Sequence, residues 1–95
     1  MYLIPVLKLK QVEKISKALG DINRLKILQT MQANNGKLEC TSIVSFLNLA
    51  QPSISHHIKK LAEADLIESH KEGRYHFYSL NNEVWENYRE RLKKL

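Results

Sequence analysis

At Leu66 the apolar residues of this chain change period from helical to alternating, and that switch limits the fold more than any other feature. Upstream, apolar positions recur every three or four residues. Downstream, Ile67-Glu68-Ser69-His70 and Tyr75-His76-Phe77-Tyr78-Ser79-Leu80 flank a Lys71-Glu72-Gly73-Arg74 turn, which predicts a β-hairpin. The fold class that follows is mainly α with a small β-hairpin.

Leu9, Val12, Ile15 and Leu19 predict a first helix from about Lys8 to Leu19, stopped by Gly20. Asp21 can cap a second helix with Leu25, Leu28 and Met31 inside and Arg24, Lys26 and Gln29 outside, ended by Asn34-Asn35-Gly36. A short extended piece around Lys37 to Cys40, a short extra strand, is expected near residues 37–40. Thr41 or Ser42 then caps a brief helix with Ile43, Val44 and Leu47 inward, and Asn48-Leu49-Ala50 turns the chain. Pro52 suits the first turn of the next helix, where its missing N–H would be unpaired anyway. There Ile54, Ile58 and Leu61 form the expected buried stripe, which leaves Ser53, Ser55, His56, His57, Lys59 and Lys60 on the flanks and outer face. Asn81 or Asn82 can cap a last helix with Trp85, Tyr88, Leu92 and Leu95 on one side and Glu86, Arg89, Glu90 and Lys93 on the other. With no further chain to cover it, that apolar side needs a partner.

The 95 residues suit a single domain spanning 1–95. Cys40 is the one cysteine, so no internal disulfide can form, and stability must come from apolar burial, to which self-association can add. Cys40 itself is expected to be a small buried apolar residue. A redox switch would need an accessible low-pKa thiolate, and a disulfide between two copies stays open. A net charge of +5 favours an anionic partner, either nucleic acid or an acidic lipid surface. The stretch Tyr2 to Leu7 is interrupted by Pro5, falls far short of the ~20 residues of a membrane span and lacks the layout of a secretion signal. A cytoplasmic protein without membrane partners is expected. The basic last helix, with Arg89, Arg91, Lys93 and Lys94, is diluted by Glu83, Glu86 and Glu90 as a lipid-binding surface.

The element order α-α-α-α-β-β-α is that of a winged helix-turn-helix, in which one helix enters the DNA major groove and the hairpin reaches the flanking backbone. Hydroxyl, imidazole and ammonium groups suit that task because they can engage base edges and phosphates. The candidate DNA contacts are Gln51, Ser53, Ser55, His56, His57, Lys59 and Lys60 on the helix and Lys71 and Arg74 at the hairpin tip.

Three stretches also resemble the ArsR/SmtB-type bacterial repressors: Ala18-Leu19-Gly20-Asp21-Ile22-Asn23-Arg24-Leu25-Lys26-Ile27-Leu28, Gln51-Pro52-Ser53-Ile54-Ser55-His56-His57-Ile58-Lys59-Lys60-Leu61, and Gly73-Arg74-Tyr75-His76-Phe77-Tyr78-Ser79-Leu80. The resemblance runs from Val12 to Leu80 and is most specific in the middle stretch. It implies a homodimer through the first and last helices, which would use Leu9, Val12, Ile15, Leu19, Trp85, Tyr88 and Leu92, with Tyr2, Leu3, Ile4 and Leu7 able to join. It further implies an inverted-repeat operator on double-stranded DNA, and repression relieved by an inducer the sequence does not name.

The family's Cys-x-Cys metal positions fall at Glu39 and Thr41, and its last-helix site falls on Asn82 and Val84 with no His after His76. Zinc needs several well-spaced thiolate, imidazole or carboxylate ligands, so no metal and no cofactor are expected. A metal pair at His56 and His57 is conceivable, but adjacent helix residues diverge by about 100 degrees and rarely share one ion. His70 and His76 could meet across the hairpin but suit surface positions. Ile22 replaces a frequent Pro and should leave its helix intact. An enzyme is disfavoured by the lack of a phosphate loop, an activated nucleophile or paired carboxylates. The competing function is a winged-helix protein-interaction module without operator binding.

Overall fold

The computed structural model describes residues 7–39 and 49–95, which form α1 (Leu9–Leu19), α2 (Ile22–Ala33), β1 (Lys37–Glu39), α3 (Gln51–Glu63), β2 (Ile67–Glu72), β3 (Tyr75–Leu80) and α4 (Asn82–Lys93). The brief helix expected around Ile43, Val44 and Leu47, Cys40, and the amino-terminal Tyr2, Leu3 and Ile4 lie outside the described residues. Among the described residues no helix is long and apolar enough to cross a membrane.

Local chemistry sets the helix starts. The Lys8 N–H donates to the Gln11 side chain at 2.8 Å before α1. Before α2 the Asn23 and Arg24 N–H groups donate to Asp21 Oδ1 at 2.8 and 3.3 Å, so the helix begins at Ile22 without a proline. Asn81, rather than Asn82, caps α4 by accepting from the Val84 N–H at 3.3 Å. Two left-handed residues, Asn35 (φ 57) and Gly36 (φ 79), turn the chain from α2 into β1.

The sheet has the order β1-β3-β2, antiparallel throughout, with Leu38 opposite Tyr78 and Ile67 opposite Leu80. That face closes on the helices. The core gathers Val12 and Ile15 from α1, Ile27, Leu28 and Met31 from α2, Ile54, Ile58 and Leu61 from α3, and Tyr88 from α4. Burying a side chain such as Leu61 is worth about 1.5–3 kcal/mol. Tyr88 keeps a polar link as well, because its hydroxyl and that of Ser16 share a 2.9 Å hydrogen bond.

Two details differ from expectation. In α2 the buried residues are Ile27, Leu28 and Met31, whereas Leu25 is 44% exposed and Arg24 is half-buried. This helix carries apolar residues on every side, so its spacing does not mark an inner face; packing against its neighbours decides it. The hairpin is also tighter than expected. Lys71 and Glu72 belong to β2, Glu72 pairs with Tyr75, and only Gly73 and Arg74 make the turn. Gly73 supplies the positive φ of 61° that such a two-residue connection requires at its first position.

Candidate nucleic-acid interface

The stripe Ile54, Ile58 and Leu61 seats α3 on the core and leaves Ser53, Ser55, His56, Lys59 and Lys60 exposed. Gln51 lies in the first turn, and its side chain is outside the described set. Lys59 Nζ sits 4.0 Å from Glu63 Oε1, an exposed pair that restrains the lysine little.

His57 departs from the outward position expected for it. It is buried, only 9% exposed, with Nδ1 4.0 Å from Asp21 Oδ1 and without a hydrogen-bond partner. The spacing Ile54, His57, Ile58, Leu61 is i, i+3, i+4, i+7, so His57 falls within the buried stripe despite its polarity. It therefore packs between α3 and the start of α2 instead of facing solvent. Arg24 Nη2 approaches the same carboxylate from α2, 3.8 Å from Asp21 Oδ2. Burial disfavours the charged form of Asp21, but the Asn23 and Arg24 N–H groups, then His57 and the Arg24 guanidinium, outweigh it and hold the carboxyl below its ordinary value. Asp21 thus caps α2 and faces the inner side of α3, a link between elements that no local pattern announces.

The wing is braced on both faces. Ser69 Oγ and His76 Nε2 lie 2.7 Å apart on one side, and His70 Nε2 and Ser79 Oγ lie 2.7 Å apart on the other. The two imidazoles therefore do not meet. His70 stacks on Phe77 at 4.8 Å between centroids, with Lys37 Nζ 5.6 Å from the same ring. Tyr75 donates its hydroxyl hydrogen to Glu39 Oε1 at 3.1 Å, which ties the hairpin to β1. Lys71 and Arg74 are exposed at the far end.

The residues expected at a subunit seam divide. Val12, Ile15 and Tyr88 are buried in the protomer's own core, and Leu19 and Trp85 pack partly against it. Leu9 and Leu92 remain open, 60% and 41% exposed, as does Leu95 at 72%. Val12, Ile15 and Tyr88 are thus covered within a single chain, whereas Leu9, Leu92 and Leu95 leave apolar surface in the open.

Among the described residues no group of three or more His, Cys, Asp or Glu side chains is placed to hold a metal ion. Glu39 accepts a hydrogen bond from Tyr75, α4 opens with Asn82 and Val84, and Thr41 lies outside the described residues.

Residues 21–69, which include the Asp21 cap, all of α3 and the start of β2, match the family model for bacterial regulatory proteins of the arsR family. The chain belongs to the ArsR family. It is 36% identical over 73 residues to the transcriptional repressor SdpR of Bacillus subtilis (strain 168), a match covering 77% of this chain and 79% of that one. It is 33% identical over 75 residues to the arsenical resistance operon repressor of Staphylococcus aureus, covering 79% and 70% of the two chains. An ArsR-like transcriptional regulator from Rhodococcus sp. RHA1 shares the fold with a TM-score of 0.79 at 22% identity, over 90% of this chain and 79% of that one. This ArsR-family chain is accordingly a DNA-binding transcriptional regulator of winged helix-turn-helix form, from a family of regulators rather than enzymes.

Proposed function

We propose that the chain is a homodimeric repressor that reads an inverted-repeat operator, each protomer laying α3 in the major groove and the wing tip against flanking backbone. The observation that carries this reading is the outer face of α3, where Ser53, Ser55, His56, Lys59 and Lys60 stand exposed above a buried apolar stripe. Ser55 and His56 suit base edges, while Lys59, Lys60, Lys71 and Arg74 suit phosphates, with Gln51 and Ser53 entering from the helix start. His57 positions the helix from beneath.

Leu9, Leu92 and Leu95 supply exposed apolar surface for the second copy, supported from below by Val12, Ile15, Leu19, Trp85 and Tyr88. The whole chain serves as one DNA-binding domain and acts in the cytoplasm. The poor fit of its donor groups to a metal favours an inducing signal of another kind.

In vitro selection of duplexes from a random pool tests this. The expected result is an inverted repeat with half-sites about one helical turn apart. Recovery of no motif, beside a reproducible protein partner, would favour the interaction-module reading.

A further inference from the structure

Helices α1, α2 and α3 meet along an open cleft lined by Lys14, Lys17, Ala18, Arg24, Lys60 and Glu63. Four of these six side chains are cationic, and they come from three separate elements. Lys14 and Lys17 are one turn apart on α1, where Ala18 beside them is buried in the core.

The acids of the region offset only part of this charge: Glu63 lines the cleft 4.0 Å from Lys59, and Asp21 pairs with Arg24, which leaves the three lysines to set its sign. Among the described residues Lys14, Lys17 and Lys60 have no ion-pair partner. Arg24 Nε is buried without an acceptor. Like charges held together repel, and neither the core nor any cap uses these lysines.

We infer that this cleft binds a phosphate group. Ammonium groups on flexible stems and a guanidinium provide the converging donors that a phosphate takes. Lys60 lies one turn beyond His56, so the cleft borders the outer face of α3. A backbone phosphate of the duplex is the source this position favours, and a soluble phosphate would use the same cations. The inference depends on the DNA-binding reading only for the first source.

The test is a Lys14→Ala/Lys17→Ala variant, neither residue being assigned to the proposed reading face, beside a Lys26→Ala/Lys94→Ala control of equal charge. Far-ultraviolet dichroism and melting first establish that both are folded. If the duplex is the source, the slope of log affinity against log salt falls in magnitude by about one to two in the cleft variant, with equal loss on operator and random duplex, and less in the control. If a soluble phosphate is the source, inorganic pyrophosphate at constant ionic strength raises the melting temperature of the wild type saturably, and the cleft variant loses that rise. Unchanged salt slope together with an unchanged pyrophosphate response overturns the inference, as does an equal effect in the control. A wild type that binds no duplex defeats the operator reading alone, and the pyrophosphate titration then decides the cleft.

Discussion

Helices α3 and α4 are each amphipathic and each buries one side, yet they leave different chemistry in the water. On α3 the outward side chains are hydroxyls, an imidazole and ammonium groups; on α4 and the neighbouring end of α1 they include leucines. A solvated helix face needs no apolar side chains, so the leucines mark a surface suited to another protein surface. The polar face of α3 can stay hydrated until base edges and phosphates replace the water. The difference teaches that burial alone does not rank the importance of a helix; what remains uncovered says which kind of partner surface its chemistry would suit.

The contrast breaks first at the inner side of α3. Leu61→Ala empties a fully buried position and should cost about 2–5 kcal/mol in urea denaturation, with DNA binding lost along with the fold. Leu92→Asp should leave the protomer folded by circular dichroism but cost about 2–4 kcal/mol in self-association, read by sedimentation against concentration. An unchanged dimer constant would remove α4 from the seam. Ser55→Ala and His56→Ala should each reduce discrimination between operator and mismatched duplex by about 1–3 kcal/mol, whereas Lys59→Ala and Arg74→Ala should weaken both duplexes alike. Uniform loss in all four variants would erase the distinction between reading and holding.

The smallest effect concerns the cap that touches both α2 and α3. Asp21→Ala should lower stability by about 1 kcal/mol at neutral pH. Because the folded carboxyl ionises more readily than the unfolded one, the unfolded chain binds more protons and stability rises with pH across that range. The ionic part of Asp21's contribution is therefore present above the ordinary carboxylate value and disappears as acid carries the pH down through the lowered one. Denaturation curves for wild type and variant should converge there.

Features governed by neighbours in sequence were legible from the residues. The Asp21 cap, the Ile54, Ile58 and Leu61 stripe, the strand near Leu38 and the hairpin each depend on local spacing or turn chemistry. The inner face of α2 was legible only in part: Leu28 and Met31 are buried as expected, but Ile27 takes the place of Leu25, because apolar residues lie around most of the helix and tertiary packing selects among them. His57 was legible by position and misleading by type: its spacing places it inside, while the group that receives it comes from Asp21, far away along the chain. The cationic cleft was invisible for a similar reason, since Lys14, Lys17, Arg24 and Lys60 converge only after three helices pack.

The two-residue turn at Gly73-Arg74 makes the hairpin a caliper. With six residues in each strand and Glu72 locked opposite Tyr75, the guanidinium rides at the end of an arm about 20 Å long. Two more residues per strand would carry it ~7 Å farther, about two nucleotide steps. In the proposed complex, strand length would therefore set the gauge between the bases facing α3 and the outlying backbone facing the tip, independently of which bases those are.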